Sequence, residues 1–339
     1  MACAIVWRGR VTAQGVLGVR RQGSPQPATL GDRWHLGSCT KAMTATLAAI
    51  LANDGVISLD TPITEALADH LATTRVDSAW RHVTLNMLLH NRGGAPQDIP
   101  ADDMRACCAG GLSPTESRLE LAKRILARPP AVAPGTSHVY SNAGFAMVGA
   151  ALELRTGTAW ERLMQDSLWA PLGITTGSFG APGTSSGVDA PHGHTESDCR
   201  PVAPGPGSDN PAAIGPAGTA AMTVRDWARF VALHLDQGRG ATAPRLLSPE
   251  AFKRLHWPLQ GDEAAYAMGW VVSEQPGWGG RCLTHSGDNT LWHCTSWLAP
   301  EKEFALLVAT NRSGASVACN DVVLALIGDH RTHEGASSL

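Results

Sequence analysis

The sequence predicts an α+β fold, an antiparallel sheet flanked by helices with an inserted, mainly helical subdomain. Three observations carry this. Strand signals cluster at the two ends, over 2–19 and 267–311, and ends of that kind pair most simply into one sheet. The middle, about 56–245, reads instead as helices separated by Pro/Gly turns. Between the first strands and that middle lies Gly37–Gly55, nearly all apolar or small from Ala42 to Ala52, the pattern of a helix buried on every face. A sheet subdomain is therefore expected from residues 1–55 and 246–339, a helical one from 56–245, and an active site between them.

Taken in order, Ala2–Trp7 and Val11–Val19 are apolar runs around Arg8-Gly9-Arg10, a hairpin signature. A Pro/Gly/Ser loop over Gly23–Gly31 precedes the central helix, which Asn53-Asp54-Gly55 stops. Pro62 opens a helix, Thr84–His90 is a short one, and Glu116–Ala127 is amphipathic up to Pro129-Pro130. Helices follow at Ala143–Thr156, closed by Gly157, and at Trp160–Trp169. Residues 177–218 are rich in Gly, Pro and Ser without periodicity, a long loop of the kind that borders active sites and sets specificity. Thr223 caps the helix Val224–Leu235. Strand patterns return at Ala267–Ser273, Arg281–His285, Leu291–Leu298 and Phe304–Asn311. The last helix carries one stripe, Cys319, Val322, Val323, Leu326 and Ile327, and frays from Thr332.

Composition narrows the function classes. The chain has 339 residues, 43% hydrophobic and 17% charged, enough for a sizeable core and too apolar for disorder. A net charge of −3 gives no reason to expect a nucleic acid or an anionic membrane as partner. No apolar run approaches the roughly 18–20 residues that span a bilayer. MACAIVWRGRV lacks a basic segment followed by a longer apolar one, so the expected location is cytoplasmic, or periplasmic or secreted if the N-terminus had been trimmed. The eight Cys form no C-x-x-C pair and no zinc spacing, so no metal and no cofactor is expected. They read as reduced thiols, with Cys39 alone placed to be reactive.

Chemistry is concentrated in three short motifs. Ser38 and Lys41 are three residues apart at a helix start and share a face. A Lys in a first turn meets the positive end of the helix dipole, and burial would depress its pKa further. A neutral amine beside a hydroxyl is a base beside a nucleophile. Alone, the pair reads more simply as a Ser cap with an outward Lys. Tyr140-Ser141-Asn142 leads into a helix, and His285-Ser286-Gly287 ends a strand. Separately, these read as a core Tyr and a satisfied strand-end His. Only two Tyr and four Lys occur in the chain, which makes one of each at such places notable.

In this order, the motifs resemble the serine β-lactamase and penicillin-binding-protein family, whose S-x-x-K motif matches Ser38–Lys41. The chain looks most like the class C β-lactamase branch with its DD-peptidase, D-aminopeptidase and esterase relatives. That branch carries Y-x-N and then K-T-G or H-x-G. The similarity runs through GDRWHLGSCTKAMTATLAAILANDG, HVTLNMLLHNRGGAP, PGTSHVYSNAGFAMVGAALELRTG and GTAAMTVRDWARFVALHL. Two departures stand out: no helix precedes the first strand, and His285 stands where β-lactamases have Lys. The resemblance implies a β-lactamase/DD-peptidase-like fold. It also implies that Asn142, His285, Ser286, Gly287 and Asp288 bind substrate, with the backbone amides of Ser38 and Asp288 as the oxyanion hole.

The expected chemistry is attack of the Ser38 hydroxyl on a carbonyl to give an acyl-enzyme. Neutral Lys41 and Tyr140, the latter as a phenolate beside a cation, exchange the proton, and the residues leave open which takes it first. Asn142 can hydrogen-bond both Lys41 and a substrate amide. His285, largely neutral near pH 7, grips a carboxylate less well than Lys would. The expected function is a serine hydrolase acting on a small ester or amide. β-Lactamase, D-aminopeptidase or DD-peptidase activity is the alternative, and a non-catalytic acyl-binding sensor is the rival from another class. The expected partner is a small ester, amide or β-lactam; oligomeric state is not legible. Two other signals are weaker. Gly183-Thr-Ser185-Ser-Gly187 fits G-x-S-x-G but lacks the strand and helix that a nucleophile elbow needs. His192-Gly-His194 suggests no third metal ligand.

Overall fold

The computed structural model describes residues 1–336 except 109, 110, 206, 262 and 279. Seven strands form the main sheet: β1 (Ala2–Trp7), β2 (Arg10–Val16), β3 (Tyr266–Ala267), β4 (Trp270–Gln275), β5 (Gly280–Asp288), β6 (His293–Ala299) and β7 (Phe304–Thr310). Their order is β2-β1-β7-β6-β5-β4-β3, and every neighbouring pair is antiparallel. The two ends of the chain therefore meet in the sheet, with Ala2 opposite Ala309 and Trp7 opposite Phe304.

FALLVAT in β7 reads as an unbroken apolar run because both faces of that strand are covered. Phe304, Leu306 and Val308 pack on one side against Cys319 and Val323 of the C-terminal helix. Ala305, Leu307 and Ala309 join the main core on the other side. The apolar stripe expected on that helix is the one that faces the sheet, with Val322, Leu326 and Ile327 at its margins.

Five longer helices organise the rest: α1 (Thr40–Asn53), α2 (Pro114–Leu126), α3 (Asn142–Thr156), α4 (Val224–Asp236) and α5 (Ser316–Ala336). Every residue of α1 from Thr40 to Leu51 is buried, as its composition predicts. Helix α2 starts with a capping box between Ser113 and Glu116, and Gly157 at φ +67° closes α3 in the left-handed conformation that glycine adopts without strain.

Several expectations change. Helix α4 lies in the segment assigned to the inserted helical part, yet it packs across β1, β2 and β7. Helix 160–169 is α only over Trp160–Leu163 and continues as a π-helix over Met164–Trp169. The 177–218 stretch holds two-residue strands at Ser178–Phe179, Gly193–His194 and Pro201–Val202, and a helical turn at Gly215–Gly218. Pairings that short leave no period to read. Helix α5 runs through Ala336 where fraying from Thr332 was expected; residues 337–339 lie outside the described residues. Among the described residues, no helix is long and apolar enough to cross a membrane.

Two buried imidazoles tie α4 to its neighbours. His234 Nδ1 lies 2.8 Å from His256 Nε2, and His234 Nε2 lies 3.2 Å from Thr46 Oγ1 of α1. Burial pushes both rings below their ordinary value of 6.5, His256 to about 3, with Arg281 adding repulsion on that side. A base depressed in the fold is protonated first in the unfolded chain as pH falls. Its contribution is complete above about pH 6.5 and declines below it, towards the folded value near 3. The thermal midpoint is expected to fall between about pH 7.5 and pH 5, and to fall less in His256→Gln. An equal fall in the variant would remove the pair as the cause.

Candidate active site

Leu36 to Thr40 turns sharply before α1 begins. Gly37–Cys39 is a 3-10 turn, and no side chain caps it or the helix that follows. Ser38 is thus not the helix cap that a lone S-x-x-K suggests; its half-exposed hydroxyl stands on the turn. Lys41 is fully buried one turn on. Its Nζ lies 3.0 Å from Ser38 Oγ, 2.7 Å from Asn142 Oδ1 and 2.9 Å from the carbonyl of Ala217. Burial lowers its pKa to about 7. A neutral amine has two N–H groups, which the Asn142 and Ala217 oxygens accept. Its lone pair is then left for the Ser38 hydroxyl, which donates.

The second motif is set by its middle residue. Ser141 caps α3, accepting from the Gly144 N–H at 3.1 Å, while its own hydroxyl donates to the Pro96 carbonyl at 2.6 Å. Asn91, at φ +57°, braces the same strap: its Oδ1 accepts the Ser141 N–H and its carbonyl accepts the Val139 N–H. Tyr140 and Asn142 flank Ser141 and meet at Lys41. The Lys41 Nζ sits 4.6 Å from the centre of the Tyr140 ring. Desolvation holds the Tyr140 phenol above its ordinary value, against a smaller opposite effect of its hydrogen bond to Ser38. The phenolate expected from sequence is therefore corrected to a neutral phenol, because the ammonium that would stabilise it is itself discharged near pH 7.

His285 is also placed differently from the expectation. It is buried, with Nδ1 donating to the Ser286 carbonyl at 2.7 Å, so in the neutral ring Nε2 is the acceptor. The Tyr266 hydroxyl lies 3.4 Å from that nitrogen. Both nitrogens are engaged within the protein, and the expected donation from His285 to substrate has no free N–H. The Ser286 side chain is exposed on the other face of the strand, where its hydroxyl meets Thr295 Oγ1 at 3.2 Å.

Two glycines let β5 close on the turn that carries Ser38. A Cβ at Gly287 would lie 2.0 Å from the Leu36 carbonyl oxygen and 2.8 Å from the Ser38 nitrogen. A Cβ at Gly37, which has φ +46°, would lie 2.8 Å from the Asp288 nitrogen. Backbone packs on backbone here, and it brings the segments bearing the Ser38 and Asp288 amides together. The Asp288 carboxylate accepts from Thr290 N–H (2.6 Å), Ser313 Oγ–H (2.9 Å), Gly314 N–H (3.2 Å) and His293 Nδ1–H (3.1 Å). Burial alone would raise its pKa; these hydrogen bonds outweigh that and hold it below the usual carboxylate value.

Comparison with known proteins identifies the arrangement. The model of the family described as Beta-lactamase matches residues 1–328. The chain belongs to the beta-lactamase family. It is 28% identical over 259 residues to a penicillin-binding protein 4 from Amycolatopsis lactamdurans, covering 75% of this chain and 65% of that protein. It is 28% identical over 193 residues to a lovastatin esterase from Penicillium rubens, covering 53% and 48% respectively. The chain thus spans about half to two thirds of the length of these relatives. Its fold is that of solved penicillin-binding proteins. An octameric homologue from Pyrococcus abyssi gives a TM-score of 0.74 at 22% identity, covering 96% of this chain and 73% of that one. A penicillin-binding protein from Bacillus halodurans gives 0.72 at 19%, covering 96% of both chains.

In this member of the beta-lactamase family, the other sequence candidates are structural. Ser185 is exposed in a turn with neither strand before nor helix after it. His194 bonds the Asn311 carbonyl and the Gln22 N–H, and His192 the Gly187 carbonyl, so both pin loops. No group of residues that could hold a metal occurs among the described residues. Cys39 is an exception: burial alone would raise its pKa, but the contacts of its Sγ, 3.6 Å from Cys294 Sγ and 3.3 Å from the His285 carbonyl, outweigh that and hold the thiol below its ordinary value, in line with the reactivity expected of it, although it is buried. Sequence reasoning missed the Ala217 carbonyl, which no residue type announces, and Tyr266. The second was findable, since Tyr266 is the other of only two tyrosines.

The Gly287 contact is testable directly. Gly287→Ala is expected to destabilise the fold by about 1–3 kcal/mol through overpacking, read as a lowered unfolding midpoint. Gly15→Ala, which like Gly287 has no positive φ and would meet only Cys3 Sγ at 3.6 Å, is the uncrowded control. Equal midpoints in the two variants would show that crowding at 287 is relieved at no cost.

Proposed function

We propose that this chain is a serine hydrolase that acts through an acyl-enzyme on small esters or amides, with neutral esters preferred. The observation that carries this is the buried Lys41 amine, its Nζ 2.7 Å from Asn142 Oδ1, 2.9 Å from the Ala217 carbonyl and 3.0 Å from Ser38 Oγ, contacts that in the neutral amine leave its lone pair for the Ser38 hydroxyl. As Ser38 Oγ bonds to the carbonyl carbon, Lys41 takes the hydroxyl proton. The carbonyl electron pair moves to oxygen, facing the Ser38 and Asp288 amides. Collapse breaks the bond to the leaving group, which takes a proton back from Lys41 directly or by way of the Tyr140 phenol. Water then repeats the sequence on the acyl carbonyl, and Ser38 is released.

Two observations support a neutral substrate. His285 has both ring nitrogens engaged within the protein and no N–H free for a substrate carboxylate. The similarity to a fungal lovastatin esterase points the same way. A β-lactam or a peptide ending in a carboxylate is the second choice, resting on the similarity to a penicillin-binding protein.

Ser38→Ala is expected to abolish hydrolysis of p-nitrophenyl acetate, and a fluorophosphonate should label the parent at Ser38 alone. An adduct at Ser185 instead would end this reading. With Lys41 as base at a pKa of about 7, the acylation rate should rise with pH and level off above about 7. Lys41→Arg, which cannot lose its proton, should lose about 10²–10⁴-fold. A flat pH profile with an active Arg variant would show that another group takes the proton. The parent should also turn over neutral p-nitrophenyl esters faster than nitrocefin; the reverse order would favour the β-lactamase alternative.

A further inference from the structure

We propose that His35 and Asp209 form a positioning pair that holds the nucleophile turn through the Gly37 amide, keeping Ser38 in place for acylation. The proposal rests on the serine-hydrolase reading above. His35 ends the short strand Trp34–His35, two residues before Gly37, and its side chain is completely buried. Its Nδ1 accepts the Gly37 N–H at 3.0 Å. In a neutral ring the proton is then on Nε2, which faces Asp209 Oδ1 at 2.8 Å. The carboxylate thus fixes the tautomer that leaves Nδ1 free to accept. A side chain accepting the N–H two residues on has the form of an Asx turn, here built with imidazole.

The turn needs such a hold. Gly37 is in the left-handed region, pressed against Asp288 N and Gly287, and its N–H points to His35. Asp209 also accepts from Asn289 Nδ2 at 3.2 Å. Asn289 directly follows Asp288, and Gly37 directly precedes Ser38. The pair therefore links the neighbours of both amides that face the developing oxyanion, and it does so from a third segment, the long connection before Gly215. Movement of either amide would cost rate, since a misplacement of about 1 Å can cost on the order of 10²-fold.

The competing role for His35 is packing alone, since its ring stacks on Trp292 at 5.5 Å between centroids. Two substitutions separate the roles. His35→Phe keeps an aromatic ring against Trp292 and removes the acceptor. His35→Asn loses the ring and restores an oxygen that can accept the Gly37 N–H as an Asx turn. The readouts are the rate of Ser38 phosphonylation by a fluorophosphonate and kcat and KM for p-nitrophenyl acetate, with unfolding midpoints alongside.

His35→Phe is expected to slow phosphonylation about 10- to 100-fold, with the loss in kcat more than in KM. His35→Asn should be about tenfold faster than His35→Phe even where its midpoint is lower. Asp209→Ala should slow the reaction on its own and add little to His35→Phe, because both act through one hydrogen bond. It carries the test if His35→Phe does not fold. Equal rates in the Phe and Asn variants, a slower Asn variant, or additive losses with Asp209→Ala would overturn the proposal. Absence of a Ser38 adduct in the parent would overturn the hydrolase reading as well; a Ser38 adduct formed equally fast in every variant would overturn the positioning pair alone.

Discussion

Desolvation of one amine is the constraint on which the site depends. Lys41 sits on a helix buried from Thr40 to Leu51, and among the described residues no acidic side chain is hydrogen-bonded to its Nζ. Neutralising it by an adjacent carboxylate would have kept it charged and useless as a base. Its partners are instead two neutral oxygens and a hydroxyl, which satisfy hydrogen-bonding capacity without stabilising charge. The surrounding structure serves that choice. Ser141 starts α3 where Asn142 can reach the amine, and Thr44 Oγ1 donates to the Pro216 carbonyl at 2.7 Å, holding the strand of chain that presents Ala217. Arg118, buried and paired with Glu153 and Glu161, donates to the Ala212 carbonyl and fixes the same segment from the far side.

The second constraint is close approach. β5 reaches the turn before α1 only because residues 37 and 287 lack side chains, and the contact is backbone against backbone. Gly269 repeats the device on the other flank, where a Cβ would lie 2.6 Å from Ala42. Sheet and central helix thereby approach closely on both sides of Lys41 in the sequence, and Lys41 is fully buried.

How much of this was legible in the sequence follows from what each residue contributes. Ser38, Lys41 and Asn142 act through side-chain chemistry at fixed spacing, and their meeting could be anticipated from three motifs in order. The sheet was legible because strand patterns at the two ends have no other partners. Ala217 acts through its carbonyl, which every residue possesses, so no pattern marks it. The state of Tyr140 is set by the burial of its phenol, and that is a matter of packing. His285 was assigned to substrate through the resemblance to an H-x-G motif; its partner, Tyr266, lies on another strand, and pairings between strands are not written in either stretch alone. The short strands within 177–218 were missed because two residues make no period.

The pairing of Ala2 with Ala309 has a consequence for how the molecule is made. β1 is synthesised some three hundred residues before its central partner in the sheet. Until then, β1 and β2 form an isolated hairpin with an open edge, and such a hairpin is marginal in water. Ser38 meanwhile has no β5 to complete the contacts around it. Assembly is therefore of high contact order, with a large closure entropy to overcome before the reward arrives. The surroundings of Ser38 and Lys41 are therefore completed late, and a chain released before β7 is synthesised carries both residues but not the finished sheet beside them.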